Sequence, residues 1–415
     1  MSTATPVIPT DHRPVHEHLD AVLTLAGRGP VERVPLAAAL GRVLAADVVT
    51  PGDLPPFTSS AIDGYAVRLA DPPREGGTMP RGGGELPVRA TVPAGCGTPV
   101  PLRRGSTARI MTGAPVPVGA DTVVPVEWTT PGDVGTILVH RYPPRGTYVR
   151  RAAQEHRAGD ILLRTGCRLT PARLALLASS GATTAHVCRR PRVLLLTTGN
   201  ELVTPGTPRP SGGVYDANTT LLAGLLAEDG AHVTLLRHRD DEHRVLAALL
   251  EGIEDHDLLL TAGGISPGDH EPVRQALTSL GGVQFVDVAM SPGGPQGCGT
   301  LGDTPVLALP GNPVAALVSY LAFARPFLRH WQSEPDPTGG WEPVTVRGEL
   351  RHRPGTVLYR PAALNRTSGH PVATVVGGGH RLCELAAADG VLRIDAGAAG
   401  AVGAAVRSAE LHVFR

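Results

Sequence analysis

Residues 257–269 read Asp-Leu-Leu-Leu-Thr-Ala-Gly-Gly-Ile-Ser-Pro-Gly-Asp, and no other stretch constrains the fold as much. Leu258, Leu259 and Leu260 form a short apolar run of the kind that becomes a fully buried strand. The run breaks into Gly263-Gly264, and helical spacing begins near Glu271, with Val273, Ala276, Leu277 and Leu280 in step. A strand that stops at a glycine pair before a helix leaves backbone N–H groups at the carboxyl edge of a sheet. Open α/β sheets bind anions there, phosphates in particular. Ser266 and Asp269 add a hydroxyl and a carboxylate at the same edge. A lone glycine pair would be explained by a tight strand-to-helix turn. The neighbouring strand ends carry similar chemistry, which favours a site.

Strand and helix alternate from 187 to 334. Strands are expected at Arg192–Thr197, His232–Arg237, Leu258–Thr261 and Val306–Leu309, and helices at Asn218–Asp229, Asp241–Glu251, Glu271–Leu280 and Pro313–Arg329. This order predicts a doubly wound parallel sheet. The strand ends carry Thr197-Thr-Gly-Asn-Glu201, Arg239-Asp240-Asp241, the glycine pair, and Leu309-Pro310-Gly311-Asn312-Pro313. In the last, Gly311 permits an unusual backbone angle, Asn312 suits a helix cap and Pro313 a first helical turn. Capping explains that motif by itself. It does not explain carboxylates beside glycine turns on several strands, the arrangement a cation-bridged phosphate needs.

Around this domain the character of the chain changes. Residues 1–13 read as a loose tail and Pro14–Ala26 as an amphipathic helix. A short helix follows at Leu36–Leu40. Between 45 and 145, β-branched stretches at Val88–Val92, Thr107–Met111, Thr122–Val126 and Thr136–Val139 alternate with Pro/Gly clusters, as in an all-β module. Asp63 falls in a turn before a strand, and Thr112-Gly113 at a strand end. An ordinary turn is the plain reading of Asp63-Gly64. Helical spacing resumes at Thr170 and ends at Gly181. After a Pro/Gly linker at 335–340, five short β-branched runs predict a terminal β domain. The expected fold is thus a multidomain α/β chain. It has a discontinuous helical domain (1–44 and 146–186), an inserted β module (45–145), a doubly wound α/β domain (187–334) and a C-terminal β-barrel-like domain (335–415).

Charge is balanced, 38 basic against 38 acidic residues, which gives no electrostatic support to binding nucleic acid or a membrane surface. Every basic residue is arginine, so chemistry that needs a Schiff-base or phosphate-gripping lysine is excluded. Five scattered cysteines form no zinc-spaced cluster and fit a reducing compartment. With neither a signal pattern nor a membrane-length apolar run, the expected location is cytoplasmic. There is no P-loop and no GxGxxG after the first strand of the α/β domain. Acidic side chains beside glycine turns at a sheet edge suit metal-assisted phosphate chemistry.

The segments LPPFTSSAIDGYAVR, RIMTGAPVPVGADTVV, TTGNEL, GGISPGD and LPGNP, in this order and spacing, closely resemble the molybdopterin molybdenumtransferase family, which includes the E domain of gephyrin. The resemblance runs from about residue 14 to the end. It implies a molybdopterin-binding α/β domain and insertion of molybdate into adenylylated molybdopterin, with cleavage of the phosphoanhydride, release of AMP and assistance by Mg2+. It also implies a homodimer in which the β module of one subunit lies over the α/β domain of the other. A molybdopterin adenylyltransferase would supply the substrate, and molybdoenzymes or their chaperones would receive the product.

Carried over by position, Asp63, Thr112, Glu155, Glu201, Asp240, Asp241 and Glu271 would be catalytic, with Glu201, Asp240 and Asp241 as metal ligands. Gly263, Gly264, Ser266, Asp269, Ser291, Pro310, Gly311, Asn312 and Pro313 would hold the substrate. Two segments depart from the family pattern. Gly-x-Asn-x-Arg-x-x-Gly-Glu-Asp reads Gly146-Thr-Tyr148-Val-Arg150-Arg-Ala-Ala153-Gln154-Glu155, and Lys-Pro-Gly-Lys-Pro reads Ser291-Pro-Gly-Gly294-Pro295. After GGISPGD, Glu271 stands for the usual Asp. Two readings follow: an insertase with an altered anion grip, and a paralogue that binds or carries the pterin nucleotide without turnover.

Overall fold

The computed structural model describes residues 12–69, 84–97, 101–238, 253–266, 268, 271–347, 355–367, 370–396 and 409–414. The chain folds as two compact units, one of residues 47–164 and 171–184, the other of 1–46, 165–170 and 185–415. This division differs from the one expected at 44, 145, 186 and 334. Helix Val15–Leu25 belongs to the larger unit because Val22, fully buried, joins an apolar cluster with Leu195, Leu258 and Phe327. Residues 146–164 and helix Pro171–Ser179 belong to the smaller unit, with the β strands.

The larger unit is built on a six-stranded sheet. Its order is His232–His238, Arg192–Thr198, Leu258–Ala262, Thr304–Leu309, Pro295–Leu301, Val283–Asp287. The first four strands are parallel, as expected. Their side chains alternate between two apolar layers. Leu195, Leu258, Leu260, Leu307 and Leu309 pack with helix Asn218–Glu228 and the 313–331 helix. Leu194, Leu196, Leu259, Val306 and Ala308 pack with Val273, Ala276 and Leu277 of helix Pro272–Leu280. Strands covered on both faces read as continuous apolar runs, which is why these were legible. The helix expected at Asp241–Glu251 lies outside the described residues.

Two antiparallel strands extend this sheet beyond the expected parallel core. Pro295–Leu301 reads PQGCGTL, with neither apolar alternation nor β-branched enrichment. The glycines that disguise it are sterically required. At Gly297 a Cβ would stand 2.8 Å from the Phe285 ring.

The 313–331 helix is continuous but passes through a π segment at Tyr320–Ala324. The wider turn sets Tyr320 Oη 2.6 Å and Arg325 Nε 2.8 Å from the same Asp229 Oδ2. It also precedes Pro326, which has no N–H to donate.

The C-terminal strands Trp341–Arg347, Val357–Asn365, Val372–Val375, Gly390–Ile394 and Ala409–Val413 close a five-stranded barrel, because Val357–Asn365 pairs on both of its edges. Met290–Ser291 adds a short parallel strand to it. In the smaller unit the expected strands all form. The sheet order is Thr122–Pro125, Gly64–Val67, Thr107–Ile110, Gly84–Val92, Thr136–Val139, Thr129–Pro131. No helix among the described residues is long and apolar enough to cross a membrane.

His18 is 1 % exposed, with its ring edge-on to Phe323 at 4.6 Å. Burial, aided by the Arg13 charge, lowers its pKa from 6.5 to about 4. The unfolded chain therefore binds a proton that the folded chain refuses between these values. The stability held above pH 6.5 should fall as pH drops toward 4, by roughly 3 kcal/mol from this residue. Urea unfolding at pH 7.0 and 4.5 should show that loss, and His18→Leu should reduce it by this share, with His412, also lowered to about 4, keeping its own. An unchanged pH dependence in a folded variant would mean that other groups carry it.

Candidate functional site

Three strand ends of the larger unit meet at the carboxyl edge of the sheet. Gly263, with φ of 94°, donates its N–H to Leu309 O at 3.1 Å. A Cβ on Gly263 would stand 2.9 Å from Thr198 O, and one on Gly311 would stand 3.3 Å from Gly263 Cα. Gly264, φ 66°, lies against Thr198 Oγ1. The end of Arg192–Thr198, the glycine pair and the Pro310–Gly311 turn are thus in backbone contact, and glycine is what permits it. Part of the expected anion grip is already used, since the Gly263 N–H bonds to protein.

At the adjoining turn, Asn312 Oδ1 accepts from the N–H groups of Val314 and Ala315 at 3.0 and 3.1 Å, with Pro313 in the first helical turn. Such a cap contributes about 1 kcal/mol, so Asn312 is accounted for by helix initiation. Glu201 is exposed, and its carboxylate lies over Gly199. Glu271 precedes Pro272 at the start of its helix, and Ser266 is exposed in the intervening loop. Asp240, Asp241 and Asp269 lie outside the described residues.

Ser291 lies on the short strand that joins the barrel, just ahead of strand Pro295–Leu301. The antiparallel register Gly297↔Ala308, carried two residues further, sets Pro295 level with Pro310. Ser291 itself pairs with Leu358 of the barrel, and the turn after it packs on helix Pro313–Ser319, where a Cβ on Gly293 would stand 3.0 Å from Ser319 Oγ. Where the family carries its second lysine, Gly294 has its Cα beside Asp287, and a Cβ there would collide with Asp287 Oδ1. Asp287 pairs with His12 at 2.9 Å. A carboxylate thus stands beside the position expected to be cationic.

The sequence reading missed Asp216 and Asn218. Asp216, 3 % exposed, accepts from Thr219 N at 3.0 Å, from Thr219 Oγ1 at 2.5 Å and from Thr197 Oγ1 at 3.3 Å. It anchors the start of helix Asn218–Glu228 to the end of the first strand. Asn218 Nδ2 donates to Gly311 O at 2.8 Å, tying that helix to the Pro310–Pro313 turn. The signal was an Asp-x-Asn preceding an apolar helix, an ordinary capping pattern.

In the smaller unit Asp63 and Thr112 are in direct contact. Asp63 Oδ1 accepts from Thr112 N and from Thr112 Oγ1, both at 2.7 Å. These two bonds, the backbone one first, with help from Arg109, hold the Asp63 carboxyl below the usual aspartate range despite a smaller opposing desolvation. A Cβ on Gly64 would collide with Val124 O, so Asp63-Gly64 is more than a turn pair. Glu155 does not join the pair. Its side chain is exposed and its N–H donates to Leu54 O at 3.0 Å. Tyr148 and Ala153 adopt φ of 59° and 55°, the left-handed region that asparagine and glycine tolerate best. Those two residues are the family's usual ones at these positions.

No three His, Cys, Asp or Glu side chains gather into a metal cage among the described residues. Glu201 supplies one hard oxygen donor at the sheet edge, which suits Mg2+ held by one or two carboxylates plus substrate phosphates. A cavity of about 650 Å3 lies elsewhere in this unit, lined by Leu221, Leu225, Trp341, Leu385, Arg325 and His412. Arg325 pairs there with Asp229 at 2.8 Å, while Arg329, which also lines it, leaves its Nε unmet. The cavity has no part in the edge chemistry.

Residues 13–181 match the MoeA N-terminal region (domain I and II), and residues 194–330 match a probable molybdopterin binding domain. The chain is 39 % identical over 389 residues to molybdopterin molybdenumtransferase 2 of Mycobacterium tuberculosis, covering 92 % of this chain and 95 % of that one. The chain belongs to the molybdopterin molybdenumtransferase family. That family of transferases works in molybdenum cofactor biosynthesis. Another member, from Nostoc sp., is 38 % identical over 321 residues, covering 76 % of this chain and 72 % of its own. Among solved structures, the molybdopterin biosynthesis moeA protein from Pyrococcus horikoshii OT3 matches with a TM-score of 0.80 at 25 % identity. That match covers 97 % of this chain and all of the archaeal one.

The Asp63–Thr112 contact yields a direct test. Thr112→Val removes the hydroxyl bond but keeps the backbone one, so the Asp63 carboxyl should titrate at higher pH than in the parent, yet still below a free aspartate. Carboxyl-carbon NMR titration reads this. An unmoved midpoint would show that Oγ1 does not bind the carboxylate in solution.

Proposed function

We propose that this chain inserts molybdate into adenylylated molybdopterin with release of AMP. The observation that carries the reading is the convergence of Thr198, Gly263-Gly264 and Gly311 at one sheet edge, with the Glu201 carboxylate beside it. The Gly264–Ser266 segment receives an anionic group of the substrate, while Glu201 orients molybdate or supplies a ligand to Mg2+ together with Asp240 or Asp241. Mg2+, when bound, offsets negative charge on the phosphoanhydride. Glu271, one methylene longer than the family's aspartate, extends a carboxylate toward the same loop.

The exposed Asp63–Thr112 pair, carried on the smaller unit, completes the site from the second subunit of a homodimer. Its carboxylate is kept ionised by two donated hydrogen bonds and so is fitted to accept a hydrogen bond from substrate. A molybdopterin adenylyltransferase supplies the substrate, and molybdoenzymes or their chaperones take the product.

One observation favours the second reading, a paralogue that holds the pterin nucleotide without turnover. Ser291 and Gly294 stand where two cations would grip the substrate, and Asp287 borders the second position. A charge-assisted hydrogen bond contributes about 1.5–3 kcal/mol, so losing two weakens substrate binding by two orders of magnitude or more. The insertase reading holds if binding is weak and turnover persists.

Glu201→Gln, nearly isosteric at an exposed position, should abolish most molybdate-dependent AMP release and leave the melting temperature within a degree or two of the parent (about 0.5 kcal/mol or less). Unchanged activity per folded molecule would remove Glu201 from the chemistry. Sedimentation should find a dimer at micromolar concentration, and a fully active monomer would rule out a shared site.

A further inference from the structure

Among the described residues, four buried side-chain polar atoms have no hydrogen-bond partner: Thr198 Oγ1, Thr261 Oγ1, Asn218 Oδ1 and Arg329 Nε. Three of these belong to the carboxyl half of the parallel sheet or to the helix start beside it. Burying such an atom unsatisfied costs about 1–3 kcal/mol, and native chains keep few of them without a reason. Thr198 and Thr261 have hydroxyl rotors, which can act as donor or acceptor.

Asn218 is more informative, being 6 % exposed and fixed in orientation. Its Nδ2 must face Gly311 O, 2.8 Å away, because an amide oxygen cannot donate to a carbonyl. The orphan is therefore the acceptor Oδ1, beside the turn that closes against Gly263.

From this we infer that Asn218 Oδ1 is a substrate-binding group that accepts a hydrogen bond from the ring N–H or amino group of the pterin. The inference rests on the insertase or carrier reading of the site. Ionised phosphate and molybdate have no hydrogen to give, so the anion loop alone leaves Oδ1 unmet. A pterin edge presents amino and lactam N–H donors. Adenine also has an amino group, but Asn218 lies within the 194–330 segment that matches a molybdopterin binding domain, which favours the pterin. Asn218 thus has two roles, holding the Pro310–Pro313 turn through Nδ2 and reading the pterin through Oδ1.

The test is Asn218→Leu, similar in shape and free of polar atoms. Leucine removes the unmet acceptor and also the Nδ2 bond to Gly311 O, so the variant should lose about 1–3 kcal/mol of stability and still fold. Calorimetric titration of the full chain with molybdopterin, adenylylated molybdopterin and AMP should show affinity for the two pterin ligands falling about tenfold, roughly 1.4 kcal/mol. Affinity for AMP should change less than twofold. Should the leucine variant not fold, Asn218→Ala gives the same comparison without added bulk.

Pterin binding equal to the parent in a folded variant would overturn the assignment and leave the proposed function standing. A loss confined to AMP would place Oδ1 at the nucleotide end and likewise overturn it. A parent chain that binds neither pterin ligand would overturn both.

Discussion

Gly263 and Gly311 approach one another so closely that no Cβ fits comfortably at either, and Thr198 O stands on the other side of Gly263. The arrangement of the sheet edge follows from that contact. Three parallel strands must end level, their following turns must lie flat against each other, and the helices after them must start from one small area. The Asn312 cap, the Asp216 anchor and the Asn218–Gly311 bond are the polar groups that keep these helix starts in place. Side chains added at the glycines would push the turns apart, and the carboxylates would no longer share an edge.

The parallel core was legible because buried strands leave continuous apolar runs. Leu258–Leu260 and Val193–Leu196 admit little else. The antiparallel pair was not, since Pro295–Leu301 owes its place to glycines that fit under Phe285, and pattern reading takes glycine as a break. Which domain receives the helix at Val15–Leu25 depends on Val22 meeting Leu195 and Phe327 far along the chain, and no local signal carries that. At the site, the glycine turns and the Asp63 turn could be read from sequence, and so could Asn312. Asn218 could not. Its importance lies in the atom it leaves unsatisfied, and satisfaction is a property of the folded neighbourhood.

The chain has no lysine, and its family resemblance is weakest where lysines are expected. The structure gives that departure a physical setting. Gly294 borders the Asp287 carboxylate, which His12 contacts at 2.9 Å, so an acidic side chain stands beside that position. At the other departing segment, Tyr148 and Ala153 adopt the left-handed backbone conformation that asparagine and glycine tolerate best, at a strain of about 1 kcal/mol or more each. The fold tolerates both changes. Whether chemistry does depends on the groups that remain, Glu201 at the sheet edge and the Asp63–Thr112 pair.

The central claim is that this edge turns substrate over as well as holding it. Release of AMP from adenylylated molybdopterin by the purified parent chain, with Mg2+ and with or without molybdate, tests it most directly. The account predicts AMP appearing in step with molybdenum bound to molybdopterin, at a rate that molybdate raises. Tight retention of intact adenylylated molybdopterin, with no AMP formed at any molybdate concentration, would contradict it.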